Sequence, residues 1–176
     1  MKTIILLFLF LPIIALAGLR ERVDAILHER YENATMTFEK FIIPAEQKKI
    51  IQAQSGQKFI KDFVFVWKIS RDKEQRLALV DAVRGKSAFI TVLITFDKLH
   101  SVEQIDILNY KGDRGRGVMN KEWLAQFVGK NADDDFTIGS SIDAVTGASY
   151  SAPEIAKGVK RWSLLARYLA ETEPDA

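Results

Sequence analysis

The sequence predicts an α+β fold, with a twisted, mostly antiparallel sheet and helices packed on it. Two observations favour this class. Runs of branched and aromatic residues follow one another in the middle of the chain, and one long apolar stripe at helical spacing lies near its end. With 176 residues, the chain has the length of one domain. Its composition, 48% hydrophobic and 27% charged, is that of an ordinary globular protein and excludes collagen-like, disordered and multi-span membrane classes.

The N-terminal residues are typical of a secretory signal. Met1-Lys2 gives a positive start, the stretch 4–16 is almost entirely apolar, and 15–17 (Ala-Leu-Ala) has the pattern of a cleavage site. The apolar run is shorter than the roughly 20 residues of a membrane-spanning helix. We therefore expect residues 1–17 to be removed after Ala17 and the protein to be periplasmic or otherwise exported. The alternative is an uncleaved N-terminal anchor.

A helical lead-in is predicted over 18–58. Charged residues with apolar ones at helical spacing predict a helix over 20–41. A second, short helix is predicted from Pro44 to Ser55, because proline is tolerated in a first helical turn and Gly56 provides a typical end.

Four strands are predicted next, as an antiparallel meander. Each run is rich in β-branched and aromatic residues, and the segments between them have turn-forming residues. The predicted strands are 63–67, 77–83, 88–96 and 102–108.

Two helices are predicted after the sheet. A glycine-rich segment, 110–117, precedes an amphipathic helix over 120–128 that Gly129 ends. The last helix has an apolar stripe that includes Trp162, which we assign to the core. Ser151-Ala-Pro-Glu154 at its start is the pattern of a capping box, in which the serine side chain caps the helix.

Charge and residue content exclude several functions. Lys+Arg is 25 and Asp+Glu is 23, and both signs are mixed along the chain, so a nucleic-acid partner is not expected. The sequence has no cysteine, which excludes disulfides, Cys-ligated zinc, iron–sulfur clusters and thiol catalysis. The only two histidines, His28 and His100, are far apart, which argues against a metal centre or a His-dependent triad.

The segment 142–151 is the most informative for function. Asp143 is followed by Thr146, Gly147, Ala148 and Ser149, which lead directly into the last helix. Small residues allow close approach of the backbone to a ligand, and a helix N-terminus favours a phosphate. The segment predicts an anion pocket; the alternative is an ordinary turn rich in helix-capping residues.

Asp143-Ala-Val-Thr-Gly-Ala-Ser149 resembles the flavinylation motif of the FMN-binding domain family. Similar domains of this family occur in the periplasmic FMN-bearing subunits of bacterial sodium-pumping NADH:quinone reductase and of Rnf-type complexes. The resemblance covers roughly 60–170 and suggests a domain over 59–176. Ser149 stands where threonine is more usual, and the Glu-Thr often seen before the glycine loop is absent.

The resemblance implies FMN linked by a phosphoester to Ser149, with Ser151 as the rival. The capping argument favours Ser149, because Ser151 is expected to cap the helix. A separate Mg²⁺-dependent flavin transferase would move FMN from FAD onto the hydroxyl. The other residues implied in cofactor binding are Asp143, Thr146, Gly147, Ala148, Tyr150, Gly115 and Gly117.

The implied function is electron transfer between a membrane oxidoreductase and an extracytoplasmic acceptor. Two alternatives remain open: a binding module that holds FMN or another small ligand non-covalently, and a reductase acting on a small acceptor. Three aromatic residues are candidates to stack on the flavin, and three basic residues are candidates to stabilise its reduced form or to dock an acidic partner. These are Tyr150, Trp123 and Trp162, and Lys111, Arg114 and Arg116.

Overall fold

The computed structural model describes residues 11–72, 74–112 and 115–172. The described residues form two compact units, which divide after Thr35. The elements are α1 (Leu11–Arg30), β1 (Thr35–Ile42), α2 (Ala45–Ser55), β2 (Phe63–Arg71), β3 (Glu74–Arg84), β4 (Phe89–Phe96), β5 (Val102–Tyr110), a 3-10 turn (Arg116–Met119), α3 (Lys121–Ala125) and α4 (Ser151–Thr172).

The first unit contains α1. The predicted helix over 20–41 is correct as far as Arg30 and wrong over 35–41, which form β1. Asn33 has a φ of 62°, a left-handed conformation that ends a helix, and Thr35 and Thr37 then alternate with apolar residues as in a strand. None of the helices described is long and apolar enough to span a bilayer. Residues 1–10, most of the predicted signal, lie outside the described residues.

The second unit is built on a five-stranded sheet with the strand order β1-β2-β3-β4-β5. The last three pairings are antiparallel, with Phe65 opposite Val80, Val80 opposite Leu93 and Ile94 opposite Ile105. The predicted meander and α+β class are confirmed, and β1 is a fifth strand that the prediction missed.

Helix α4 packs on one face of the sheet. Its apolar stripe is fully buried, Trp162 included, so the prediction of a core position for Trp162 is confirmed. Gly158 allows the close approach: a Cβ there would lie 2.6 Å from Val83 Cγ1 on β3. The stripe and the strands therefore form one continuous core. Its largest members on α4 and the sheet are Trp162, Phe96, Leu79, Ile90 and Ile94.

The shorter helices differ from the prediction mainly in their bounds. The predicted helix from Pro44 to Ser55 corresponds to α2, which Gly56 ends with a φ of 66°. The predicted helix over 120–128 is shorter as found, because α3 ends at Ala125 and single turns follow. Asn120 caps α3 by accepting a 2.7 Å hydrogen bond from the Glu122 N–H.

Candidate functional site

The segment before α4 forms a tight turn at Val145–Ala148. The Ala148 N–H donates to the Val145 carbonyl at 3.0 Å, and Gly147 has a φ of +76°. A positive φ at the third residue is the mark of a type II turn and favours glycine. A Cβ on Gly147 would meet no atom within 4 Å, so this position needs glycine for its backbone conformation rather than for space.

Several backbone N–H groups of this turn and of the residues that follow it have no acceptor among the described residues. Within the part of the chain that the structure describes, no acceptor lies within hydrogen-bond distance of the N–H groups of Thr146, Gly147, Ser149, Tyr150 or Ser151. Helix α4 begins at Ser151 and has 22 residues, so its positive end is directed at the same place. Uncommitted N–H groups at a helix N-terminus are a recurring site for phosphate.

The glycine-rich segment contacts this turn from the side. A Cβ on Gly117 would lie 2.4 Å from Val145 Cγ1, and one on Gly115 would lie 2.8 Å from Tyr110 Oη and 3.6 Å from Ala148 Cα. Two segments about 30 residues apart in sequence therefore pack together only because both glycines lack side chains. The structure brings Gly115 and Gly117 next to the 145–148 turn.

The two candidate serines differ in exposure. Ser149 is exposed, whereas Ser151 is only 3% exposed, with its Oγ 3.4 Å from Tyr110 Oη. The predicted capping box is wrong. Ser151 is the first residue of α4, and the Glu154 carboxylate faces Gln57 and Lys157 instead of reaching back to the helix start. The physical reason is tertiary packing, which directs both side chains away from the local backbone. Burial, and not helix capping, therefore makes Ser149 the more accessible of the two hydroxyl groups.

Asp143 is held by its backbone. Its N–H donates to Gln126 Oε1 and its carbonyl accepts from Trp123 Nε1, both at 2.8 Å. The carboxylate is exposed and has no hydrogen-bond partner among the described residues. Trp123 and Gln126 thus fix the start of the segment and leave the Asp143 carboxylate accessible to an outside molecule.

An open groove of about 640 Å³ lies beside this segment. It is formed by the β3–β4 hairpin turn, the end of β5 and Tyr150, the residue that follows Ser149. Phe89 and Tyr150 are 48% and 45% exposed. Its volume is within the range of small-molecule pockets. Its lining residues include Arg84, Lys86, Phe89, Asn109, Lys111 and Tyr150.

Exposure and position distinguish the aromatic and basic candidate residues from one another. Trp162 is fully buried and Trp123 nearly so, which leaves Tyr150 as the only one of the three candidate stacking residues with an accessible ring. Lys111 lines the groove, and Arg116 is exposed at the start of the 3-10 turn. Arg114 lies outside the described residues.

A buried polar cluster holds α4 behind the site. Arg161, 0% exposed, pairs with Asp81 at 2.8 Å and donates to the Lys58 carbonyl at 2.6 Å, and Trp162 Nε1 donates to the same carboxylate at 3.0 Å. Burial lowers the pKa of the Arg161 guanidinium, and the charge of Asp81 opposes that effect. The cluster fixes α4 to β3 two to three turns beyond Ser151.

Residues 85–163 match the sequence model of the FMN-binding domain. This part of the chain belongs to the FMN-binding domain family. No curated protein matches the chain. The matched residues contain both the glycine-rich segment and the turn before α4, and the protein is an FMN-binding protein. The resemblance inferred from the motif at 143–149 is confirmed at the level of the family.

The residues at the site fit FMN. The uncommitted N–H groups suit a phosphate, and the groove is large enough for a ring system. Ser149, which is exposed, directly precedes Tyr150, a residue that lines the groove. Sequence reasoning missed the hairpin turn at 84–89 as part of the site. Arg84-Gly-Lys-Ser is an ordinary turn sequence, and only the packing of the sheet brings it near Tyr150.

Proposed function

We propose that the protein is an exported electron-transfer flavoprotein that carries FMN through a phosphoester on Ser149. The observation that carries this proposal is the exposed Ser149 hydroxyl among uncommitted backbone N–H groups at the start of α4. A phosphate attached there would accept hydrogen bonds from the protein backbone and face the positive end of the helix.

The attachment is a phosphoryl-group transfer in which this chain is a substrate. Ser149 Oγ attacks the flavin-side phosphorus of FAD. The bond from Oγ to phosphorus forms as the pyrophosphate bond breaks, AMP leaves, and the hydroxyl proton passes to a base on the transferase or to solvent. The catalyst is the Mg²⁺- and FAD-dependent flavin transferase. The exposed Asp143 carboxylate is a contact for that enzyme, because its own chain gives it no hydrogen-bond partner among the described residues.

When bound, FMN supplies the redox chemistry, and the chain supplies position and charge. Tyr150 and Phe89 offer apolar surface to a ring, and the glycines at 115 and 117 let their segment contact the turn that holds the phosphate. A covalent link would keep the cofactor on a protein that works outside the cytoplasm. Its electrons would come from a membrane oxidoreductase and pass to an extracytoplasmic redox partner.

The proposal is tested by expressing the full chain with a flavin transferase, denaturing it and viewing the gel under ultraviolet light. We expect a fluorescent band and an added mass of one FMN on the peptide containing Ser149. Ser149→Ala should lose both completely, whereas Ser151→Ala, the matched control, should keep both.

A wild-type band without fluorescence, made with a transferase that labels a control substrate, would contradict covalent attachment. Flavin that co-purifies with the native protein and is released on denaturation would instead support the non-covalent binding module.

A further inference from the structure

The groove beside Tyr150 has a one-sided charge. Arg84, Lys86 and Lys111 line it, and none of the described lining residues is a carboxylate. Arg84 is the last residue of β3, Lys86 lies in the turn between β3 and β4, and Lys111 follows the last residue of β5. Since Ile90 of β4 is paired with Tyr110 of β5, these positions meet at one end of the sheet.

These cations also lack ion-pair partners within the described ranges. None of the three has a carboxylate within 4.0 Å or a side-chain hydrogen bond. Basic side chains at the opposite end of the sheet are neutralised: Arg76 pairs with Glu74 at 2.9 Å and with Glu103 at 3.1 Å. The groove thus concentrates positive charge that no carboxylate among the described residues neutralises.

We propose that this groove seats the isoalloxazine ring and that Arg84, Lys86 and Lys111 stabilise the ring's anionic reduced form. The inference rests on the proposed function, because the ring would enter the groove from a phosphate on Ser149, whose neighbour Tyr150 lines the groove. Two electrons from a reduced partner protein and one proton from solvent convert the oxidised ring to the anionic reduced ring. The second proton stays in solvent, since three nearby cations favour the charged form.

The expected effect of the three cations on the reduction potential depends on their exposure to solvent. All three side chains are exposed, so water and salt screen them. Removing one charge at such a site changes an equilibrium by about fivefold, and removing three should exceed about tenfold. A tenfold change in a two-electron equilibrium is about 30 mV.

The test uses the full chain carrying covalent FMN, with attachment verified by mass, and titrates its reduction potential against pH. For the wild type between pH 6 and 8 we expect one proton for two electrons, a tenfold change per pH unit or about 30 mV. The triple variant Arg84→Gln, Lys86→Gln and Lys111→Gln should have a potential lower by more than about 30 mV and a pH slope nearer two protons.

A matched triple variant removes the same charge from the other end of the sheet. Arg71 ends β2, Lys98 follows β4, and the Lys130 carbonyl bonds the first residue of β5. Arg71→Gln, Lys98→Gln and Lys130→Gln should leave the potential and the slope unchanged. Raising the salt concentration should shrink the difference between the wild type and the groove variant.

The outcomes separate the two claims. Wild-type protein without covalent FMN overturns the proposed function and this inference with it. Full attachment, with a wild-type slope of two protons or with equal potentials in the wild type and groove variant, overturns the inference and leaves the covalent carrier intact. A lowered potential in both triple variants also overturns it, because the effect would then come from net charge and not from the groove.

Discussion

The segment that leads into α4 and the middle of α4 have opposite properties. Just before the helix, Ser149 and Tyr150 are exposed and their N–H groups have no acceptor among the described residues. At the middle, Arg161 and Trp162 are 0% exposed, and both donate to Asp81. An exposed segment thus leads into a helix whose centre is anchored.

This difference shows how a short exposed motif is held in place. The turn at 145–148 is held by the buried Ala148, by the helix that follows and by the glycine segment beside it. Gln57 adds to the anchoring, since its Nε2 donates to the Glu154 carbonyl at 2.8 Å and to the Glu154 carboxylate at 2.9 Å. We infer that stability is concentrated in the middle of α4 and chemistry at its start.

The largest effect is expected from breaking the anchor. Arg161→Leu leaves the Asp81 carboxylate buried without its counter-charge, and such a change costs about 3–5 kcal/mol of the free energy of unfolding. For a chain of this size the melting temperature should fall by about 10 °C. Thermal and urea unfolding measured by circular dichroism would give both values.

The control for this variant is Arg167→Leu on the same helix. Arg167 pairs with Asp133 at 2.6 Å, but this pair is exposed and should contribute about 1 kcal/mol or less. Equal losses from both variants would contradict the view of α4 as anchored at Arg161. At a temperature where Arg161→Leu is still folded, flavin attachment should persist, because Ser149 and its neighbours are unchanged.

Much of this architecture could be predicted from the sequence. The four strands from 63 to 108 and the apolar stripe of α4 follow directly from residue pattern. Strand β1 was missed because its charged residues, Glu39 and Lys40, interrupt the alternation and mimic a solvated helix. Edge strands often have such residues, so local pattern alone is ambiguous there.

The site was only partly predictable. The motif at 143–149 identified the family, but the groove depends on a hairpin turn about 60 residues earlier, which no local pattern connects to it. The predicted capping role of Ser151 was also wrong, because a tertiary contact such as the one with Tyr110 can override a capping sequence.

A smaller effect is expected where the glycine segment meets the turn. In Gly117→Ala the new Cβ would lie 2.4 Å from Val145 Cγ1, so one of the two segments must move. Overpacking of this kind costs about 1–3 kcal/mol, and displacement of the turn could slow flavin attachment by up to about 100-fold. Attachment kinetics with purified transferase would measure the second effect.

The rescue variant is Gly117→Ala combined with Val145→Ala, which removes the clashing methyl group. Attachment should recover toward the wild-type rate if the loss comes from this contact. Failure of the double variant to recover, with folding intact, would mean that Gly117 is needed for something other than close packing.

The smallest effect is expected at Ser151, and it bears most directly on the start of the helix. Ser151→Ala removes a 3.4 Å contact with Tyr110 and should cost about 1 kcal/mol or less. Flavin attachment should be unchanged, because a hydroxyl that is 3% exposed cannot reach a transferase unless the first turn of α4 opens. If Ser151→Ala loses the flavin while Ser149→Ala keeps it, the acceptor is the buried serine. The first turn of α4 would then have to unfold during attachment. In that case the two parts of α4 would differ in mobility: the first turn would open, and the middle would stay fixed.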